Sequence, residues 1–334
     1  MRIVYHLSSY ISHRLAGLAY ARCLIDRGHD LSFSLDDVNR ADAVILHDEP
    51  PLYPALFQDH PALRHTRTIA FCVWENEILP EAYARPLELV DEIWTPSAFS
   101  HTALAARFAR ACILPHLVRR GRATEADMAA LRTRLAPAAG FRFYSITDAA
   151  NPRKNVLALL AMFGAVRKSL EAPVSLVLKL YRRAWTGPRP DGVLFLDDKL
   201  EEGEMAALHR QCHAYVSAHH AEGWGLGLSE AMAFGRPVIA TGWSGNMDFM
   251  NFENSVPVPY SLEAVSEAMI RAVPCFGKDM RWAVPDPGSF IESMRLAALG
   301  KLPASLPEQA AKICQRFGPE AIGDRLEYLL TKSP

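Results

Sequence analysis

The sequence predicts an α/β protein built from two doubly wound parallel sheets, and three observations support this. Short apolar runs alternate with helix-periodic segments in both halves of the 334-residue chain, which is typical of parallel sheets covered on both faces. The strand pattern disappears around residues 117–135, where the sequence becomes rich in Arg and Ala. Because single hydrophobic cores stop growing at about 250–300 residues, we expect a domain boundary in that stretch.

The first half contains five strand-like runs and three helical patterns. The first helical pattern ends at Gly28, a natural residue to follow a helix, and the third opens with Ser97 after Pro96. The predicted strands are residues 3–7, 31–35, 43–47, 68–73 and 92–95, and the predicted helices are residues 14–27, 80–89 and 97–107.

The second half repeats the alternation and then changes. Its predicted strands are residues 141–146, 174–180, 193–196, 214–217 and 238–241, and its predicted helices are residues 155–168, 201–211 and a segment ending near Gly235. Beyond Ser261 we expect a mostly helical chain, with one helix opened by residues 285–287 and the last by Pro319. In two such halves, ligands are expected in a cleft between the carboxyl ends of the sheets.

Composition and charge exclude several classes of protein. Lys plus Arg total 36 against 37 Asp plus Glu, whereas nucleic-acid binders are usually strongly basic. The amino terminus lacks a signal-peptide pattern, and no apolar stretch approaches the roughly 18 residues that span a bilayer. The six cysteines contain no C-x-x-C pair, so neither disulfides nor a zinc site is expected. We expect a cytoplasmic protein.

The most informative stretch is residues 220–240, HAEGWGLGLSEAMAFGRPVIA. Glu222 lies in a glycine-rich loop after a strand, and Glu230 follows with seven residues between them, where the loop becomes a helix. Backbone amides and a helix N-terminus bind anions, and carboxylates accept hydrogen bonds from hydroxyls. This favours a receptor for a polyhydroxylated, phosphorylated ligand. The alternative is a glycine turn followed by a solvated helix residue.

Two further segments follow strands of the same half. Arg153 and Lys154 lie in residues 148–155, just before a helix, where an Arg fork and a Lys point charge suit a diphosphate. The alternative is a solvated, capped helix start. Gly245 and Asn246 lie in residues 244–249, a turn of small residues after the strand 238–241. That segment is equally compatible with a tight turn that caps a short helix.

Together these segments resemble the E-x7-E signature region of retaining GT-B glycosyltransferases of the group 1, or GT4-like, family. The resemblance covers residues 141–286 well and is thinner over the first domain. It implies a GT-B fold and transfer of a sugar from a UDP- or GDP-linked donor to an acceptor hydroxyl with retained configuration. It also implies a role in cell-surface polysaccharide or glycolipid assembly.

The resemblance also implies roles for individual residues. Glu230 should bind the ribose hydroxyls of the donor. Lys154 and Arg153 should bind the diphosphate, with Arg153 substituting for a second arginine that many relatives carry where this chain has Asp148. Glu222 should face the transferred sugar. The remaining expected donor-binding residues are Gly223, Trp224, Gly225, Leu226, Gly245 and Asn246.

No metal and no cofactor other than the donor are expected. The chain contains no Asp-x-Asp triplet, the usual carboxylate arrangement by which a metal neutralises the diphosphate. Cationic side chains and helix-terminal amides should then carry the electrostatic stabilisation of the leaving group.

The sequence of the first domain contains fewer recognisable catalytic or binding motifs. Relatives carry a paired-glycine loop after the first strand, and residues 8–13 of this chain, SSYISH, depart from it. Residues 71–77, FCVWENE, end a strand and resemble a run found in some members, which makes Glu75 the candidate acceptor-side catalytic group. A surface carboxylate is the alternative for Glu75. His47, at the end of a strand, and His116, after Leu114 and Pro115, are weaker candidates for the same group, and a structural role is favoured for both.

The expected partners are a nucleotide sugar and a saccharide or lipid-linked acceptor. Seven arginines between positions 107 and 134 face only two carboxylates, which indicates either solvated helix faces or attraction to anionic lipid headgroups at the inner face of the membrane. The expected domains are residues 1–118 and 119–312. Residues 313–334 should form a helix that crosses back to the first domain, as in GT-B relatives, burying Ile322, Leu326 and Leu330.

Two alternatives come from other functional classes. A binding or scaffold protein would keep the donor-binding half without transfer activity, which the altered amino-terminal loop permits. A nucleotide-sugar epimerase or a phosphorylase could share a two-domain fold, but would need further acid/base carboxylates or a pyridoxal lysine that the sequence does not identify.

Overall fold

A computed structural model describes residues 1–332, which form two compact units. Unit 1 contains Met1–Leu117, Cys275–Met280 and the chain from Gln315 onward, and unit 2 contains Val118–Pro274 and Arg281–Cys314. Each unit is built on one six-stranded parallel sheet with helices. The predicted fold class, two doubly wound parallel sheets, is confirmed.

The sheet of unit 1 has the strand order β2-β1-β3-β4-β5-β6. All five strand pairings are parallel, and the order reverses between β1 and β3. The strands are β1 (Arg2–Leu7), β2 (Asp30–Ser32), β3 (Ala43–His47), β4 (Thr68–Phe71), β5 (Glu92–Thr95) and β6 (Ala111–Ile113), and the helices are α1 (Ile11–Asp26), α2 (Tyr53–Asp59), α3 (Glu81–Leu87) and α4 (Ala98–Ala105).

Unit 2 has the strand order β12-β11-β10-β7-β8-β9, and all of its pairings are parallel. Counted within the unit, this is the 3-2-1-4-5-6 order of doubly wound nucleotide-binding sheets. The strands are β7 (Phe141–Thr147), β8 (Val174–Leu180), β9 (Val193–Leu196), β10 (Ala214–Ser217), β11 (Val238–Thr241) and β12 (Val256–Val258).

The helices of unit 2 cover this sheet. One apolar core combines side chains of β7, β8, β10 and β11 with the inner face of the helix after β7, and Phe143, Phe163 and Val216 are completely buried in it. The helices of this part are α5 (Glu125–Arg134), α6 (Val156–Lys168), α7 (Glu202–Gln211), α8 (Leu226–Ala233), α9 (Glu267–Ala272), α10 (Pro287–Ala298) and α11 (Leu306–Ala311), followed by α12 (Ile313–Arg316) and α13 (Pro319–Thr331).

Unit 2 also contains an antiparallel pair, β13 (Tyr260–Ala264) and β14 (Arg281–Pro285). The expectation of a mostly helical chain beyond Ser261 is therefore wrong for these two segments. The residues of β13, YSLEA, do alternate apolar and polar side chains, but the run has five residues of which four are exposed, so its local signal for a buried strand is weak.

The last helix, α13, lies in unit 1 and contacts α1. Arg27 donates to the carbonyl of Glu320 at 2.9 Å, and Arg67 donates to the carbonyls of Leu329 and Leu330 at 3.0 and 2.6 Å. Leu326 of this helix is completely buried. The helix is therefore anchored through side-chain bonds to its backbone carbonyls.

The unit boundaries lie within two residues of the expected domain limits, except for one inserted segment. Cys275–Met280 belongs to unit 1, although it falls inside the range 119–312 expected for the second domain. The physical reason is Phe276, which is 4% exposed and packs on Trp74 with 5.1 Å between ring centroids. Among residues 1–332, no helix combines the length and apolar character needed to cross a bilayer.

Candidate functional site

The strand order of unit 2 reverses between β7 and β10, which are neighbours in its sheet. In doubly wound sheets, ligands bind at the carboxyl ends of the strands at this switch point. The loop after β7 carries Arg153 and Lys154, and the loop after β10 carries Glu222. The fold therefore brings together two segments that lie about 70 residues apart in sequence.

The loop after β7 is fixed by its own turn and by the neighbouring loop. The Asn151 side chain accepts a bond from the amide of Arg153 at 3.0 Å and opens a short 3-10 turn. Asn155 adopts a left-handed conformation with φ 51°, and its side-chain amide donates to the carbonyl of Ala218 at 2.9 Å. The amide of His220 donates to the carbonyl of Arg153 at 2.8 Å. The two cationic residues are thus held on a rigid backbone.

Glu222 binds both cations. Its Oε1 accepts a bond from Lys154 Nζ at 2.6 Å, and its Oε2 accepts one from Arg153 Nη1 at 3.2 Å. Arg153 Nη1 also donates to the carbonyl of Ala221. All three charged side chains are 15% exposed or less, so water screens the cluster weakly.

The cations decide the protonation state of this carboxylate. Burial raises the pKa of Glu222, but Lys154, Arg153 and His219 lower it by more, so that the pKa is about 2. Glu222 is therefore an acceptor of hydrogen bonds at neutral pH and not a proton donor. Burial also lowers the pKa of His219 to about 4, so this imidazole is neutral at pH 7.

Two glycines allow the loops to approach one another. The amide of Gly245 donates to the carbonyl of Glu222 at 2.9 Å, and a Cβ at Gly245 would lie 2.1 Å from the carbonyl oxygen of Gly223. Gly225 has φ 96° and precedes α8, a conformation that glycine adopts at little cost. Close backbone packing therefore requires glycine at position 245, and the positive φ favours glycine at position 225.

Residues 244–249, the third segment expected to bind the donor, take part in the hydrogen bonds around Glu222 and His219. Asn246 Oδ1 lies 3.1 Å from His219 Nε2, and its side-chain amide donates to the carbonyl of Thr241 at 3.0 Å. The Ser244 hydroxyl accepts a bond from the amide of Glu222 at 2.7 Å. Asn246 is completely buried, so its side chain holds the loop and lies under the surface of the site.

The remaining residues of the signature loop divide between core and surface. Trp224 is 2% exposed, donates to Ser229 Oγ at 3.2 Å and packs on Phe249. Leu226 begins α8. Glu230 lies on α8 with its side chain 45% exposed, 3.8 Å from His209 Nε2. Glu230 can therefore reach a ligand, whereas Trp224 supports the loop from below.

Sequence reasoning missed the histidine preceding this loop. The ring of His220 stacks on Trp282 of β14 at 3.9 Å between centroids, and its Nδ1 lies 2.6 Å from the carbonyl of Ala283. The amide of Ala283 donates back to the carbonyl of His220 at 3.0 Å. Strand β14 thus holds the start of the Glu222 loop, and no local pattern could have paired residues about 60 positions apart.

Unit 1 contains the candidate acceptor-side residue. Glu75 follows β4 and is half-buried, and its charge raises the pKa of Glu49, after the larger effect of burial. Glu49 accepts a bond from the Tyr83 hydroxyl and lies 3.6 Å from His13 Nε2. The carboxyl edge of this sheet therefore carries two carboxylates beside an imidazole.

The two histidines interpreted as structural lie inside the core of unit 1. His47 is completely buried, stacks on Phe71 at 4.3 Å and lies 3.1 Å from the Tyr5 hydroxyl. Burial lowers the pKa of His47 well below its usual value and that of His116 to about 3. Both rings are neutral and packed among aromatic side chains.

Three of the seven arginines of the arginine-rich segment pair with carboxylates, namely Arg107, Arg119 and Arg134. Arg107 binds Glu81 and Glu88, and Arg134 binds Asp198 and lies 3.3 Å from Glu204. These pairs lie at the surface and favour the interpretation of solvated helix faces over attraction to lipid headgroups.

Comparison with known proteins agrees with this geometry. Residues 143–274 match the family model described as glycosyl transferases group 1. No curated protein matches the chain.

Several solved structures share the whole architecture. HepE of Anabaena in complex with UDP-glucose matches with a TM-score of 0.67 at 14% identity, covering 99% of both chains. WaaG, a glycosyltransferase involved in lipopolysaccharide biosynthesis, matches with a TM-score of 0.64 at 12% identity over 100% of both chains. Sucrose-phosphate synthase of Thermosynechococcus elongatus matches with a TM-score of 0.64 at 14% identity, covering 98% of this chain and 97% of its own. The chain therefore has the GT-B fold, and its residues 143–274 are similar to the glycosyl transferases group 1 family, as the sequence resemblance predicts.

Proposed function

We propose that the protein transfers a sugar from a nucleoside-diphosphate sugar to an acceptor hydroxyl, with retention of anomeric configuration. The observation that carries this proposal is the pairing of Glu222 with Lys154 and Arg153 at the switch point of unit 2. A buried carboxylate between two cations provides hydrogen-bond acceptors for sugar hydroxyls beside positive charge for a diphosphate. The complexes of HepE with UDP-glucose support a UDP-linked donor.

The chemistry proposed for these residues is electrostatic. Negative charge accumulates on the diphosphate as the glycosidic bond breaks, and preorganised cations at that point lower the barrier. Lys154 is the main candidate, since Arg153 is also committed to the carbonyl of Ala221. Glu222, ionised at neutral pH because its pKa is about 2, accepts bonds from the sugar. Glu230 is proposed to bind the ribose hydroxyls.

Substitution of Lys154 and Glu230 tests these roles. Each removes a charge-assisted contact worth about 1.5–3 kcal/mol, so the affected constant should change about tenfold or more. Lys154→Met should lower turnover, and Glu230→Ala should weaken donor binding, measured by product formation and by calorimetry with UDP and GDP. Lys168→Met, at the exposed end of α6, is the matched control. If both variants bind and transfer like the wild type, the donor site lies elsewhere.

Donor hydrolysis separates transfer from the alternative functions. A transferase should release free sugar slowly to water, a scaffold protein should release none, and an epimerase should interconvert the donor sugar. The configuration of the released or transferred sugar, read by proton NMR from an α-linked donor, should remain α. A β product would contradict the retaining mechanism.

The reaction is proposed to need no divalent metal. The cations of the Glu222 cluster stand where a metal would otherwise neutralise the diphosphate. Turnover should therefore persist in excess EDTA, with added Mg²⁺ or Mn²⁺ as the comparison. Loss of activity in EDTA, restored by either ion, would contradict this mechanism.

A glycan acceptor is proposed, in cell-surface polysaccharide or glycolipid assembly. WaaG, with the same fold, is involved in lipopolysaccharide biosynthesis, which supports this class of acceptor. A soluble saccharide and a lipid-linked one are distinguished by assaying transfer to free oligosaccharides and to the same glycans on lipid vesicles. Preference for the vesicle-bound form would support peripheral membrane association.

A further inference from the structure

A second buried carboxylate lies at the same edge of the sheet as the Glu222 cluster. Asp148 follows β7 directly, and its side chain is only 4% exposed. Its Oδ2 accepts a bond from Arg182 Nη1 at 3.3 Å, and Arg182 lies just after β8. Strands β7 and β8 are paired to their carboxyl ends. The Asp148–Arg182 pair and Lys154 therefore lie at the carboxyl ends of two adjacent strands.

The backbone at Arg182 is unusual for an arginine. Its φ is 77°, in the left-handed region that glycine adopts far more readily. Residues that are not glycine persist in such conformations mainly at functional sites, where surrounding contacts hold them. The bond to Asp148 is one such contact, and an arginine kept at a position that favours glycine indicates a role for the guanidinium.

The three cations of this edge differ in how accessible they are. The side chains of Arg153 and Lys154 are 8% and 15% exposed and bind Glu222, whereas that of Arg182 is 51% exposed. An arginine presents five donors in a planar fork that matches phosphate oxygens. Arg182 can therefore meet an incoming anion with less rearrangement than Arg153.

The charges of the side chains at the carboxyl ends of β7, β8 and β10 nearly cancel. Arg153, Lys154 and Arg182 face the carboxylates Glu222 and Asp148, which leaves one positive charge for a ligand group that carries at least two negative charges. Tyr181 links the two clusters. Burial raises the pKa of its hydroxyl, and the charges of all these groups except Lys154 contribute. The charges of both ion clusters therefore affect the same buried hydroxyl.

We propose that Arg182 is a further ligand of the donor diphosphate and that Asp148 positions it. The proposal rests on the function proposed above and names a residue beyond the signature segments. It also changes which residue is expected to take the place of the arginine that many relatives carry where this chain has Asp148. Arg153, expected to replace the arginine absent at position 148, is buried against Ala221 and Glu222, while Asp148 instead holds a cation from the next strand.

Arg182→Gly is the sharpest test, because glycine removes the guanidinium and also relieves the left-handed backbone. The variant should remain folded, because relief of the left-handed backbone offsets part of the loss of the Asp148 partner, and its melting temperature is measured as the check of folding. Its affinity for UDP or GDP, measured by calorimetry, should fall about tenfold or more, while affinity for uridine or guanosine should change less than threefold. Arg182→Lys should retain part of the affinity, and Arg183→Gln, the exposed neighbour, is the matched control.

The outcomes distinguish this inference from the proposed function. If Arg182→Gly binds the diphosphate like the wild type while Lys154→Met binds it weakly, Arg182 is not a ligand and the proposed function stands. If the wild type binds neither UDP nor GDP, the proposed donor site is wrong, and this inference falls with it. If nucleoside affinity falls together with diphosphate affinity, Arg182 supports the loop and does not bind phosphate.

Discussion

Glu222→Gln should destabilise the folded protein by an amount that depends on pH. The substitution keeps the size of the side chain, removes its charge and replaces one of the two acceptor oxygens with an amide group that donates. Lys154 Nζ and Arg153 Nη1 would then face a neutral amide at 2.6 and 3.2 Å in a site where all three side chains are at most 15% exposed. Removing one member of a buried ion cluster leaves the others uncompensated.

The magnitude follows from the pKa of the carboxylate. The folded-state pKa is about 2 against an ordinary value of 4.5, because Lys154, Arg153 and His219 outweigh the opposing effect of burial. At about 1.36 kcal/mol per pKa unit, this difference contributes about 3 kcal/mol to the free energy of unfolding at pH 7. Since the folded-state pKa is depressed, the contribution is present above pH 4.5 and is lost as pH falls toward 2. It should therefore decrease steadily between pH 4.5 and pH 2.

Urea denaturation of wild type and Glu222→Gln between pH 7 and pH 3 measures this contribution. The exposed Glu253 supplies the control Glu253→Gln, which should change stability by less than about 0.5 kcal/mol. A double variant with Lys154→Gln should lose less than the sum of the two single variants. A difference from wild type that is below 1 kcal/mol at pH 7, or that grows as pH falls, would refute the assignment of Glu222 as the charged centre of the cluster.

Two further predictions concern the loop packing and the acceptor side. Gly245→Ala should cost about 1–3 kcal/mol of stability, because its Cβ would lie 2.1 Å from the carbonyl oxygen of Gly223. Gly164→Ala, inside α6 with open space around it, should be neutral or stabilising in the same thermal unfolding assay; equal effects of the two would contradict the close approach. Glu75→Gln should lower transfer to an acceptor about tenfold or more while leaving UDP affinity unchanged, with Glu77→Gln, its exposed neighbour, as control. A matching loss of UDP affinity would remove Glu75 from the acceptor side.

The parallel sheets could be predicted because their strands are buried on both faces. Residues 43–47, 174–180 and 214–217 are predominantly apolar runs, and the structure gives the same limits for these strands, with every residue buried. Such runs can be recognised as strands from the local sequence, because a strand covered by helices on both faces is apolar on both faces and does not alternate apolar with polar residues.

Elements that depend on distant partners could not be predicted in this way. Strand β6 has three residues and α2 has seven, and each is too short for its pattern to stand out. The pairing of β13 with β14 joins segments separated by a helix and by the excursion of Cys275–Met280 into unit 1. These pairings are set by tertiary packing, which overrides weak local preferences.

The site shows the same division between local and long-range information. The segments around Arg153, Glu222 and Gly245 could be identified from residue type and spacing. Their mutual bonds could not, because they depend on β7 and β10 being neighbours in the sheet. The pairing of Asp148 with Arg182 also depends on the register of two strands, so the sequence could not show which cation faces Asp148.

Stability alone does not explain why unit 2 keeps two ion clusters at this edge. Buried ion pairs can often be replaced by apolar side chains at no loss of stability, so a purely structural loop would have little need of Glu222 beside Lys154 or of Asp148 beside Arg182. A site that alternates between empty and anion-bound states does need them. In the empty state each carboxylate neutralises a cation and holds it in place, which reduces the ordering cost of binding. When a diphosphate enters, the cations are already positioned and can share their donors with its oxygens. We infer that the carboxylates preorganise the cationic side chains for a ligand that is absent during part of each catalytic cycle.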